Sequence, residues 1–145
     1  MLVLRGPRGT TVFIGAFSRR QSAVAHSPCE AEVLALSEGC RKLLFPLAPL
    51  VDRFFGKSRL KVLTDASAAR GAIENGGQNM KYMNKTQRIS IGWLRDACEI
   101  NNVAIEAVHT SVNCADLCTK FLQQPRLSEL GLLFGLRKPG SFEAD

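Results

Sequence analysis

The chain predicts a mixed α/β fold, a sheet with helices packed on it, and three observations carry that expectation. Two runs rich in β-branched and aromatic residues flank a turn signal near the start. A short apolar run, RLKVLT at 59–64, passes at once into the helix-like DASAARGAIEN, and the apolar period changes between strand and helix several times more. A strand that runs straight into a helix is the mark of an α/β unit.

Taken in order, LVL at 2–4 and TTVFIGAF at 10–17 read as strands separated by GPRG, hence a hairpin. From Pro28 the pattern is helical through about Phe45, and Pro46 and Pro49 predict a break or kink before LVDRFF. RLKVLT supplies the next strand, and Asn75-Gly76-Gly77 ends the helix that follows it. A second long helix is expected over roughly 85–100, closed by Asn101-Asn102. VAIEAVH then makes a strand, NCADLCTKF a short helix and PRLSELGLLFGL a terminal helix. Before that terminal helix the order is β, β, α, β, α, α, β, α, without internal repeat. One domain is expected over residues 1–136, with RKPGSFEAD at 137–145 as a frayed tail.

Composition narrows the classes. A chain of 145 residues, 46% hydrophobic and 22% charged, suits one core rather than a disordered tail. No apolar run approaches the eighteen or so residues of a membrane span, and MLVLRGPRG is not a secretory signal, so no membrane association and an intracellular site, cytoplasmic or nuclear, are expected. The five cysteines, odd in number and mostly among apolar neighbours, point to reduced, packed thiols. A formal charge of +6 adds a mild pull toward polyanions.

Three acids stand out. In PCEAEVLALSEG, at about 100° per residue from Glu32, Leu43 falls near 20°, Leu36 near 40°, Cys40 near 80° and Val33 near 100°. Glu30, Arg41 and Glu38 fall at roughly 160°, 180° and 240°. On this wheel Glu32 alone of the three glutamates borders the apolar stripe; it either reaches solvent from the stripe's edge or faces further acids or a metal. Asp65 stands where a strand ends and a helix begins, a place where α/β sheets gather ligand-binding groups, although an Asp there also caps helices. Asp116 falls in the first turn of NCADLCTKF, where an acid complements the helix dipole, with Asn113 as the expected cap.

Four blocks carry a resemblance: SRRQSAVAHSPCEAEVLALSEGCRKLL, VLTDASAARGAIEN, VHTSVNCADLCTKFL and PRLSELGLLFGL. In that order and spacing, over about residues 2–136, the chain resembles the ribonuclease H domain of copia-type retrotransposon Pol polyproteins. The resemblance implies a ribonuclease H-like mixed sheet with flanking helices, hydrolysis of the RNA strand of an RNA–DNA hybrid, and carboxylates holding two divalent cations, Mg²⁺ or Mn²⁺. It places the metal-binding, catalytic acids on Glu32, Asp65 and Asp116. A reverse transcriptase domain of the same polyprotein is the implied neighbour.

Carboxylates suit that chemistry. Hard Mg²⁺ prefers oxygen ligands, and two cations about 3.5–4 Å apart activate water and stabilise the leaving oxygen. The family's first aspartate lies on a strand just before the opening hairpin, and no acid precedes Glu30 here. The chain is therefore expected to be N-terminally truncated, lacking the first strand and impaired as a nuclease. The alternative is an inactive remnant that binds nucleic acid through its basic residues. A second departure lies in KTQRISIGWLRD, where Thr86 and Arg88 replace the family's histidine and acid.

Arg19, Arg20 and Gln21 after a strand, and Lys81, Lys85 and Arg88 at the start of the expected long helix, are the nucleic-acid-binding candidates, gripping phosphate without reading sequence. Hybrid recognition rests on A-like shape and 2′-hydroxyls. Trp93, at helical spacing from Ile89, reads as core. Cys114, Cys118 and His109, or Cys29 and His26, lack the spacing of a standard zinc site. No phosphate-loop or dinucleotide signature occurs.

Overall fold

The computed structural model describes residues 1–18, 21, 24–134 and 136. The class is mixed α/β, with two small sheets and several helices. The chain forms two compact units, residues 1–19 together with 109–145, and residues 20–108. The expected tail at 137–145 lies outside the described residues.

In the first unit, strands β1 (Leu2–Arg5) and β2 (Thr11–Gly15) pair antiparallel, as the GPRG turn predicts. Gly9 takes φ +83, a left-handed conformation that a side chain would strain, and its N–H closes the turn on the Gly6 carbonyl at 3.1 Å. The later part of this unit, by itself, comprises helices α6 (Asp116–Thr119) and α7 (Gln124–Leu133). Pro125 sits in the first turn of α7, where a missing N–H costs nothing. Phe134, just past α7, meets Phe13 of β2 edge to face at 5.7 Å, and Leu130 is fully buried.

The second unit holds α1 (Pro28–Gly39), a π-helical turn over Cys40–Leu44, α2 (Phe45–Phe55), β3 (Leu60–Thr64), α3 (Ser67–Glu74), α4 (Met83–Thr86), α5 (Ile91–Ile100) and β4 (Val103–Ala107). Strands β3 and β4 pair in parallel, Leu60 opposite Val103 through Thr64 opposite Ala107. Helix α3 is central to the unit. It packs on α1, α5 and β4, and buries Ala69 and Ile73 against a core that includes Val33, Leu94, Cys98 and Val103.

The helices differ from expectation at two places, for identifiable reasons: of the break or kink expected at the prolines there is no break, although the helix changes type there, and the second long helix is divided. Pro46 and Pro49 do not break the chain: α1, the π turn and α2 follow one another without a loop. The Phe45 N–H reaches back five residues to the Cys40 carbonyl, and this wider turn absorbs Pro46, whose ring would press on the carbonyl four residues back in a regular helix. The single helix expected over 85–100 is instead two. Arg88 takes φ +54, which no α-helix accommodates, and Ser90 starts α5 by accepting a hydrogen bond from the Trp93 N–H at 3.1 Å. Asn101 closes α5 as expected, with Asn102 left-handed at φ +52.

The turn after α3 needs its glycines unequally. At Gly77, φ is +67 and an added Cβ would stand 2.7 Å from the Ile91 Cβ, whereas at Gly71, inside α3, it would meet nothing within 4 Å. Gly77→Ala should therefore cost about 2–4 kcal/mol, and Gly71→Ala should stabilise by about 0.5–1 kcal/mol, in urea denaturation monitored by the single tryptophan. Equal effects would contradict the packing of this turn.

Candidate functional site

Asp65 occupies the junction the sequence picks out. Thr64, the last residue of β3, is buried, its carbonyl accepts the Val108 N–H at 3.0 Å, and its Oγ1 accepts the Ala66 N–H at 3.1 Å. The chain is thus held on both sides of Asp65, which emerges exposed just past the C-terminal end of a parallel strand. The position before α3 is filled by Ala66, so the capping role weighed for Asp65 falls to no side chain.

Helix α1 corrects the wheel. Glu32 is exposed, and the glutamate on the core side is Glu30, with no accessible surface at all. The buried stripe runs through Glu30, Val33, Leu34, Ser37, Cys40 and Leu44. Two polar members disguise it in the sequence, and the π turn shifts the phase at which Leu43 was projected. Glu30 is buried because its carboxylate is well supplied with donors. The His26 N–H donates to Oε2 at 2.9 Å and the Gln87 Nε2 to Oε1 at 2.9 Å, and the group also acts electrostatically on the Tyr82 hydroxyl. The Glu30 N–H in turn donates to Ser27 Oγ at 3.1 Å.

Gln87 also donates from Nε2 to the Val24 carbonyl at 3.0 Å, which ties the segment before α1 to the turn between α4 and α5. Its Oε1 is buried without a hydrogen-bond partner among the described residues. None of Glu30, Gln87 or Tyr82 was singled out from the sequence as a site residue. The signal was present, since Ser27-Pro28-Cys29-Glu30 before an apolar run has the pattern of a capping box.

Asp116 belongs to the other unit. It is 6% exposed and its two carboxylate oxygens each lie 3.0 Å from Lys120 Nζ, one helical turn on. Asn113 is not the cap expected for α6: Ala115 holds that position without a side-chain hydrogen bond, and Asn113 Oδ1 instead accepts the Ala115 N–H at 3.2 Å, in the turn before the helix. In the same unit burial pushes the Cys114 thiol up, against the opposing charges of Arg5 and Arg126.

Among the basic candidates, Arg19 and Arg20 lie outside the described residues. Gln21 is exposed and donates to the Ala31 carbonyl of α1 at 2.9 Å. Lys81, Lys85 and Arg88 are exposed, on α4 and the turns flanking it rather than at the start of a long helix. Trp93 is not core: 47% of it is exposed, with the Arg41 guanidinium 5.7 Å from the ring centroid and Phe45 edge-on at 6.3 Å. Its spacing from Ile89 carries no helical meaning, because Ile89 lies before Ser90, the N-cap of α5, and so outside the helix. Cys40 and Cys98 are free, buried thiols that hydrogen-bond each other; that bond, with burial, pushes Cys40 up and holds Cys98 below the ordinary thiol value.

Within neither unit, among the described residues, do three His, Cys, Asp or Glu side chains form a group that could hold a metal ion. No helix among the described residues is long and apolar enough to cross a membrane. Comparisons with protein-family models, with curated proteins and with solved structures find no match for this chain.

Tyr82 reports on Glu30 directly, because it is the chain's single tyrosine. Desolvation first, then the Glu30 charge and hydrogen bond, raise its hydroxyl above the ordinary value of 10.0. A raised value means this contribution to stability is complete below the ordinary phenol value and is lost as pH rises through the folded one. Ultraviolet titration of the phenolate should give a midpoint above that of the unfolded chain, and Glu30→Gln should lower it. An unchanged midpoint in Glu30→Gln would show that the two groups do not interact.

Proposed function

We propose that the chain is a ribonuclease H-like domain of retrotransposon origin, related to an activity that hydrolyses the RNA strand of RNA–DNA hybrids. The observation that carries this reading is Asp65, exposed just beyond the C-terminal end of β3, with the backbone fixed on both sides of it by Thr64. The four sequence blocks that resemble copia-type domains support it.

The acids designated by the resemblance are Glu32, Asp65 and Asp116. Exposed Glu32 and Asp65 offer oxygen atoms of the kind hard divalent cations take. Asp116 already faces an ammonium group, that of Lys120, so a metal ion there competes with this ion pair. Bound Mg²⁺ or Mn²⁺ supplies water activation and charge stabilisation at the leaving oxygen. No acid precedes Glu30, so the family's first aspartate has no counterpart among these residues and full activity requires a further carboxylate. Lys81, Lys85 and Arg88 supply cations for the phosphate backbone, and no acidic residue lies between Glu74 and Asp96. That stretch favours a second reading, a basic nucleic-acid-binding module without catalysis.

Cleavage of a labelled RNA–DNA hybrid with Mn²⁺ separates the two. The nuclease reading expects slow cleavage, reduced at least about a hundredfold by Asp65→Asn, since a metal ligand is lost. Absence of any metal-dependent cleavage above that of Asp65→Asn would leave only the binding module. In either case, replacing Lys81, Lys85 and Arg88 by Ala should flatten the log–log salt dependence of hybrid binding by about 2–3. An unchanged slope would remove all three from the interface.

A further inference from the structure

Beside α3 the chain leaves an open cavity of about 340 Å³, at the small end of the roughly 300–1,000 Å³ range of ligand sites. Ala68, Gly71 and Ala72 of α3 form one wall, and Asn75, Gln78 and Asn79, on the turn that follows, form the other. The turn is held by a short ladder: the Gly76 N–H donates to Ile73 at 2.9 Å, the Gly77 N–H to Ala72 at 2.7 Å and the Met80 N–H to Gly77 at 2.8 Å. Gly77 is buried against Ile91, so the far wall cannot collapse onto α3 without lifting the turn from the core.

The lining selects a chemistry. The three carboxamides are exposed at the cavity and make no side-chain hydrogen bond to a described residue, and each presents a donor and an acceptor. The alanine wall and Met80 offer apolar surface for a flat ring. A planar group with paired donors and acceptors on its edge meets both demands, as when Asn or Gln binds an adenine edge through two hydrogen bonds. No carboxylate lines the cavity, which disfavours cationic ligands, and Lys81 and Lys85 follow directly in sequence, both exposed.

We propose that this cavity is a pocket for one unpaired nucleobase of a single-stranded nucleic acid, with Asn75, Gln78 and Asn79 hydrogen-bonding its edge and Lys81 and Lys85 engaging neighbouring phosphates. The pocket includes none of Glu32, Asp65 and Asp116. It also takes an unpaired base rather than a hybrid, so it goes beyond the ribonuclease reading and can stand without it.

Gly71→Leu tests the pocket cleanly. Gly71 lines the cavity, an added Cβ there meets nothing within 4 Å, and replacing a mid-helix glycine favours the helix. Fluorescence polarisation of the full chain with a labelled adenine homo-oligonucleotide of about twelve nucleotides, without divalent metal, should show binding weakened about tenfold by Gly71→Leu with an unchanged salt slope. Asn79→Ala should weaken it in the same direction, and a blunt hybrid duplex should bind wild type and Gly71→Leu equally. Equal oligonucleotide affinity of wild type and Gly71→Leu would overturn the proposal, as would an equal loss on the blunt duplex or binding of adenosine monophosphate without binding of the oligonucleotide. If no hybrid is cleaved while the Gly71 effect remains, the ribonuclease reading fails and the pocket stands.

Discussion

The parallel pairing of β3 with β4 is the constraint on which the 20–108 unit depends. Antiparallel neighbours can be joined by a two-residue turn, but parallel neighbours need a connection long enough to return the chain to the same end of the sheet. Here that connection occupies residues 65–102 and is built of α3, α4 and α5. Asp65, the cavity beside α3 and the cations Lys81, Lys85 and Arg88 all lie on it. A two-stranded sheet has little strength of its own, so α3 and α5, both packed on β4, must bury enough apolar surface to hold the pair together.

Glu30 joins α1 to this crossover. A carboxylate with no accessible surface persists only when donors reach it, and its donors come from the chain before α1 and from Gln87. Removing the carboxylate takes a partner from the His26 N–H and from one N–H of the Gln87 amide, whose other donation goes to the Val24 carbonyl. The same bonds hold the turn in which Arg88 takes a left-handed conformation, a strain of about 1–3 kcal/mol that the surrounding contacts must sustain. One buried acid thus sets both the start of the helix that presents Glu32 and the placement of the basic turn.

The regular parts of this unit were legible in the sequence. Both strands of the parallel pair, the helix after Asp65, its glycine terminator and the closing asparagines announced themselves through period and turn chemistry. What escaped was governed by non-local packing or by irregular helix. The prolines at 46 and 49 carry a breaker signal that a π turn overrides, and no periodicity reveals a π turn. Arg88 in a left-handed conformation is unforeseeable from its type, and it splits the expected long helix. The wheel chose Glu32 by counting apolar neighbours, whereas burial followed the polar partners available to Glu30, contributed from 57 residues away by Gln87. A capping pattern was visible at Ser27; a buried carboxylate was not.

The central claim is that the strand end after β3 is a cation-binding position. Calorimetric titration of Mn²⁺ into the intact chain, repeated with Asp65→Asn, tests it without nucleic acid or turnover. The account predicts heat of binding in the parent chain and at least about a tenfold loss of affinity in the variant. Identical titrations, or none in either protein, would contradict it.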